Sequence, residues 1–217
     1  MLVNNIFSSI QGESIYSGFP TTFIRFTGCN LKCDYCDTTY AYEEGEELNT
    51  EAIMEQVEKL NNNYVCLTGG EPLLQEDVQQ LINELTNYGY QISIETNGTV
   101  ALDQFNLEEV KVVMDLKLPS SGEYRSELNV IDNNIRTLNN KDDLKFVTGS
   151  REDFQLARDL VIEKELQEKI NIIFSPVFGQ LSPEILVEWL VEETKLNQCR
   201  LQLQLHKVIW DEETKGV

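Results

Sequence analysis

Seven short apolar runs, separated by helical patterns, limit the fold more than any other feature of this 217-residue chain. "TTFIRF" (Thr21 to Phe26), "YVCLTGG", "QISIET", "KVVMDLKL", "DLKFVT", "NIIFSPV" and "RLQLQLH" each read as a strand. Between the first two lies "TEAIMEQVEKL", with Thr50 as N-cap and Ile53, Met54, Val57 and Leu60 on one face. "EDVQQLINELTNYG" repeats helical spacing through Val78, Leu81, Ile82 and Leu85, with Gly89 as its C-terminal stop. Further helices are expected near Arg151 to Leu166 and Pro183 to Leu196. Strands alternating with helices imply parallel βα units wound in one sense. A full eight-stranded barrel takes about 250 residues, and the link from "QISIET" to "KVVMDL" is too short for a full helix. The expectation is one α/β domain over residues 1–217, an incomplete TIM-type barrel of parallel βα units.

In such barrels chemistry sits at the C-terminal ends of the strands. Three cysteines follow the first run. Thr68, Gly69, Gly70, Glu71 and Pro72 end the second, and Glu95, Thr96 and Asn97 the third. Asp115 and Lys117 end the fourth, with Pro119, Ser120 and Ser121 just beyond; Ser175 and Pro176 end the sixth, and His206 and Lys207 the seventh. Glycine and proline follow strands in any protein. Thiols and paired charges do not.

Charge and hydropathy exclude several roles. A formal charge of −20 repels nucleic acid and anionic lipid at long range. No run of eighteen apolar residues crosses a membrane, and "MLVNNIFSSIQGES" lacks the pattern of a signal peptide. The expected compartment is the reducing cytoplasm, where clustered cysteines bind metal or react rather than form disulfides. A structural zinc site wants four ligands. Cys29, Cys33 and Cys36 supply three; Cys66 sits in an apolar strand and reads as core, and Cys199 opens another strand. A catalytic zinc with three thiolates and water is the alternative to an iron–sulfur cluster, which three closely spaced thiolates suit better.

"CNLKCDYC", from Cys29 to Cys36, has the spacing of the radical S-adenosylmethionine superfamily, with the aromatic Tyr35 before the last cysteine. "TGGEP" resembles that superfamily's second signature, which contacts the methionine amino group. With "FSSIQGES", "FIRFTGCNLKCDYCDT", "TGGEPLLQ", "IETNGT", "DLKLPSSG" and "LQLHKVIW", the chain from Phe7 to Trp210 resembles the 7-carboxy-7-deazaguanine synthase family. Ser14 departs from that pattern, where "QGEG" is the usual ending; a small change in the turn is expected.

The resemblance implies conversion of 6-carboxy-5,6,7,8-tetrahydropterin to 7-carboxy-7-deazaguanine with loss of ammonia, in queuosine and 7-deazapurine biosynthesis. It implies a 4Fe-4S cluster on Cys29, Cys33 and Cys36. S-adenosylmethionine would bind the open iron and be contacted by Tyr35, Cys36, Asp37, Gly70, Glu95, Asn97, Lys117, Pro119, Ser120 and Ser121. One electron would yield a 5′-deoxyadenosyl radical that removes a substrate hydrogen and later recovers it. Mg²⁺ is implied at Thr38, and substrate contacts at Ile10, Gln11, Gly12, Glu13, Arg25, Thr68, His206 and Val217. Arg25 interrupts an apolar strand, so a carboxylate partner is expected, either Glu13 or the substrate's own. Asn97 also reads simply as an "NG" turn residue, and Thr38 as a cap of its loop. The tail "DEETKGV" is disordered by composition, and in the family it folds over the substrate. A homodimer and a flavodoxin or ferredoxin electron donor are further implications. Two rivals are a radical activase acting on a partner protein and a non-enzymatic electron carrier; the first leaves "QGE" and "CDT" without purpose, the second "TGGEP".

Overall fold

The computed structural model describes residues 1–124, 128–211, 214 and 216. The strands are β1 (Leu2–Ile10), β2 (Pro20–Phe26), β3 (Glu46–Glu47), β4 (Tyr64–Gly69), β5 (Gln91–Thr96), β6 (Val110–Leu116), β7 (Asp143–Thr148), β8 (Asn171–Pro176) and β9 (Arg200–Leu201). The helices are α1 (Thr50–Leu60), α2 (Val78–Asn87), α3 (Leu128–Thr137), α4 (Arg151–Glu163), α5 (Pro183–Glu192) and α6 (Leu205–Ile209). The strands form one sheet in the order β3-β1-β2-β4-β5-β6-β7-β8-β9, which does not close on itself. From β2 to β9 all pairings are parallel; β1 runs antiparallel to β2, and β3 to β1. This is the expected incomplete barrel, with only a short turn, Leu102–Gln104, between β5 and β6.

Strand alternation sorts the side chains into two faces. One row runs Ile24, Leu67, Ile94, Val112 across four strands, and a second runs Met114, Leu144, Ile172. All of these are buried in the core shared with the helices. Phe146 and Phe174 extend it, with Phe154 of α4 packed 5.6 Å from Phe174. Burying each such side chain contributes about 1.5–3 kcal/mol. The opposite, inward face carries Arg25, Cys66, Thr68, Ser93, Glu95, Asp115 and Lys145, one residue out of phase with the apolar rows. Cys66 is buried as expected, but on this polar face.

Several local expectations change. Asn49, not Thr50, caps α1, its Oδ1 accepting from Ala52 N at 2.9 Å. Gly89 does stop α2: its φ is +82°, and Tyr90 N reaches back to Leu85 O at 3.1 Å. β1 and α3 were not expected. "RLQLQLH" keeps only Arg200–Leu201 as strand, and His206 lies in α6 rather than at a strand end.

That shortening closes the open side of the barrel. Gln202 turns its side chain to Ser14, Oε1 accepting from Ser14 N at 2.6 Å and Nε2 donating to Ser14 O at 2.8 Å. The amide thus pairs with backbone as a strand would. Gln204 Nε2 donates to Glu13 Oε1 at 2.8 Å, and Leu205 N to Gly12 O at 3.3 Å. Ser14 holds φ +62°, a region glycine favours, and its hydroxyl accepts from Tyr16 N at 3.2 Å.

Candidate active site

A cavity of about 760 Å³ opens inside the barrel, a size suited to a cofactor with a small substrate. It is lined by Ile10, Gln11, Gly12 and Glu13 from the loop after β1, and by Arg25. Cys29, Cys33, Tyr35, Cys36, Asp37 and Thr38 face it from one loop, with Thr68, Gly70, Glu95, Asn97, Lys117 and His206 around the rim. Pro119, Ser120 and Ser121 do not line it. Val217 lies outside the described residues.

Backbone packing holds the cysteine loop. A Cβ on Gly70 would stand 1.9 Å from Gly28 O, so only glycine allows that approach. Glu71 N donates to Gly28 O at 2.8 Å, and Asp34 N to Ser121 O at 2.9 Å. The Pro119–Ser121 turn therefore braces the loop from behind. Ser120 N is itself fixed on Asp153 Oδ1 at 3.1 Å. Glu71 is fully buried and accepts from Leu73 N, Thr96 Oγ1 and Asn97 N. Burial nevertheless lifts its carboxyl to about 7, against the donors that lower it.

The three thiols are half-buried and free of disulfides. Burial pushes Cys33 up to about 11 and raises Cys29 as well. For Cys29 and Cys33 burial thus favours the protonated thiol, and a cationic group bound beside them is what would draw them as thiolates. Among the described residues no three His, Cys, Asp or Glu groups converge closely enough for a single metal ion.

Charge is concentrated on the inward face. Lys145 Nζ contacts Glu13 and lies 3.6 Å from Asp115, and Lys117 Nζ is 3.1 Å from the same Asp115 Oδ2. Burial opposes the ionised Asp115, but the two lysines outweigh it and hold its carboxyl below the usual range. Thr68 Oγ1 donates to Glu95 Oε2 at 2.7 Å, and Gln11 Nε2 to Glu95 Oε1 at 3.4 Å. Of the two carboxylates expected for Arg25, Glu13 is paired with Lys145. Arg25 instead lies over the rings of Phe7 (5.6 Å) and Tyr40 (5.7 Å), and its buried Nε has no hydrogen-bond partner. Tyr35 Oη, Asp115 Oδ1 and Ser175 Oγ are buried without partners too. A buried polar atom left unpaired costs about 1–3 kcal/mol, and three of these residues, Arg25, Tyr35 and Asp115, line the cavity, where they offer a ligand bonds to complete.

Over the cavity, His206 Nε2 and Lys207 Nζ stand 3.5 Å and 3.0 Å from Asp37 Oδ2. Burial works against the charged Asp37, yet these two partners shift its carboxyl downward. Sequence reasoning missed Lys145 and Gln204. The signal for Lys145 was present: a cation interrupting "DLKFVT", just as Arg25 interrupts "TFIRF".

Comparison with known proteins adds the following. Residues 23–120 match the model of the Radical SAM superfamily. A protein of Clostridium acetobutylicum named 7-carboxy-7-deazaguanine synthase is 42% identical, covering 97% of this chain and 96% of its own length. Proteins of the same name from Chlorobaculum tepidum and Koribacter versatilis are 39% and 37% identical, each covering at least 96% of both chains. Among solved structures, QueE from Escherichia coli superposes with a TM-score of 0.72 at 21% identity, over 94% of this chain and 93% of that one. Streptococcus suis SuiB bound to S-adenosylmethionine gives 0.53 at 17% identity, over 83% and 51%. These two likenesses are likenesses of fold.

Proposed function

The chain belongs to the 7-carboxy-7-deazaguanine synthase family, within the radical S-adenosylmethionine superfamily, and from that membership we propose that it contracts the ring of 6-carboxy-5,6,7,8-tetrahydropterin to 7-carboxy-7-deazaguanine, releasing ammonia. The 4Fe-4S cluster and S-adenosylmethionine, when bound, supply a radical that takes a hydrogen atom and returns it. Everything else falls to the chain. Cys29, Cys33 and Cys36 hold the cluster. Gly70 admits the methionine end of the cofactor, and Tyr35, Asp37, Glu95, Asn97 and Lys117 surround it, with Pro119, Ser120 and Ser121 acting through the loop they brace.

The observation that carries this reading is the Arg25 guanidinium on the cavity wall, its buried Nε without a hydrogen-bond partner. The edge of such a planar fork binds a carboxylate in two parallel bonds, and the substrate carries one. Glu13, held by Lys145 and Gln204, accepts from the guanidine-like edge of the pterin, with Gln11, Gly12, Ile10, Thr68 and His206 completing the enclosure. Lys145 supplies the counter-charge beside Glu13. Thr38 offers one hard oxygen, 3.7 Å from Cys36 Sγ. A single oxygen suits Mg²⁺ only if substrate and water supply the other positions, so Thr38 would hold such an ion jointly with the substrate, and the ion would supply orientation and charge stabilisation. Val217 at the C-terminus, a single domain over 1–217, a homodimer, a cytoplasmic setting and a flavodoxin or ferredoxin donor complete the proposal.

The test is anaerobic reconstitution with iron and sulfide, then turnover with the carboxylated tetrahydropterin. The expected result is product formed without net consumption of S-adenosylmethionine. Cofactor cleavage without pterin turnover would overturn it and favour an activase.

A further inference from the structure

We propose that Asn97 is a positioning residue for Cys29, its side-chain amide donating to the cysteine sulfur and so raising the reduction potential of the cluster that Cys29 helps to hold. The inference rests on the reading of Cys29 as a cluster ligand.

Asn97 Nδ2 stands 3.7 Å from Cys29 Sγ and 3.0 Å from Asn30 Oδ1. Its Oδ1 accepts from Thr99 N at 3.0 Å and from Thr99 Oγ1 at 2.6 Å. A backbone N–H only donates, so the atom facing Thr99 N must be the oxygen, and the NH₂ must face the sulfur. Asn30 Nδ2 then donates to Thr99 Oγ1 at 2.7 Å, closing a ring of three side chains. The backbone is fixed as well, with Asn97 N on the buried Glu71 Oε2 at 2.7 Å. Rotamer, flip and backbone are all determined by protein partners, and none of them depends on a ligand.

The three cysteines are treated differently. Cys29 accepts from a local amide, Leu31 N at 3.5 Å, and from Asn97, 68 residues away. Cys36 faces the hydroxyl of Thr38, where either atom can donate. The charge that most favours the Cys33 thiolate is the ammonium of Lys117. N–H donors withdraw electron density from a thiolate. They favour the more negative, reduced cluster, which makes hydrogen bonds to sulfur a lever on potential. The "NG" turn therefore does more than turn: its Gly98, at φ +74°, swings the chain so that Asn97 and Thr99 face the cysteine loop together.

Asn97→Ala and the near-isosteric Asn97→Asp are reconstituted anaerobically, and the midpoint potential is read by redox titration monitored by electron paramagnetic resonance. Both should hold a full complement of iron and sulfide and titrate at a more negative potential than wild type, Asp further than Ala because it adds charge. An unchanged potential with a full cluster overturns the proposal. If Asn97→Ala fails to load, Thr99→Val decides, since it removes the hydroxyl that aims the amide and leaves Cys29 and Asn97 in place. A smaller shift in the same direction supports the proposal, and none overturns it. Turnover plays no part in the readout, so a failure of the pterin reaction is told apart. A Cys29→Ala variant that kept its cluster would instead sink the ligand assignment.

Discussion

Strands β6 and β7 carry two buried ion pairs on the same inward face, and the pairs have opposite polarity. Near the N-terminal end of the barrel, Lys111 on β6 meets Asp143 on β7 at 2.7 Å. Four residues along β6 and two along β7, Asp115 meets Lys145. The lower pair is almost finished by the protein. Lys111 Nζ also donates to Lys141 O at 2.7 Å, Lys141 Nζ donates to Leu107 O and Val110 O, and neither Lys111 nor Asp143 lines the cavity. Burial dominates there, pushing Asp143 up and Lys111 down. At the upper pair a second lysine, Lys117, joins Asp115, and Glu13 joins Lys145, so charge outweighs burial. Asp143 Oδ2 lacks a partner too, but it faces packed protein. Arg25, Tyr35 and Asp115, which carry orphans above, line the cavity. The same residue types on the same strands thus close on protein below and open onto the cavity above.

The sharpest test exchanges one lysine from each level. Truncating one partner of a buried pair costs about 2–5 kcal/mol. For Lys145→Met that loss should fall on kcat/KM for the pterin, roughly 30-fold or more at 1.4 kcal/mol per tenfold. For Lys111→Met it should fall on stability, about 3–5 kcal/mol in denaturant unfolding, with kcat/KM of the folded fraction within about twofold. If both variants lose stability alike and turnover alike, the comparison breaks.

A smaller effect is expected at Arg25. Arg25→Lys keeps the charge and loses the fork, so substrate binding should weaken roughly tenfold. Its melting temperature should hold, because no carboxylate of the described residues pairs with it. Unchanged affinity would assign Arg25 to structure and move it to the lower level's category.

The smallest effect concerns Glu71, which touches neither pair. Its carboxyl lies at about 7 in the folded chain against an ordinary 4.5. The folded chain then keeps this proton after the unfolded chain has released it. Stability from Glu71 is fully present below about 4.5 and is lost as pH rises through about 7. Glu71→Gln should flatten that part of the melting-temperature profile. A profile of unchanged slope would show that Glu71 titrates normally.

Much of this was legible because alternation is a local property. Ile24, Leu67 and Ile94 announce the covered face, and Arg25 and Glu95, one step out of phase, the inner one. β1 escaped because "NN" and "SS" break the alternation of "LVNNIFSSI". α3 escaped because Asn134 looks like a helix breaker; in the fold its amide donates to Gly98 O and Val100 O and accepts from Leu102 N. The cysteines were evident from spacing alone. What Asn97 donates to, and which lysine takes Glu13, depend on residues far apart in sequence, and no local pattern encodes them.

The closure by Gln202 has a consequence for how the molecule is made. Ser14 and Gln202 are 188 residues apart. Domains begin to fold from the N-terminus during synthesis, and contacts this distant form late. The loop bearing Gln11, Gly12 and Glu13 is made long before the residues that close over it. Until Gln202, Gln204 and Leu205 leave the ribosome, the nascent chain holds its cysteine loop beside a groove open to solvent. A product ending short of Gln202 would keep most of its sheet and helices and have no enclosed chamber.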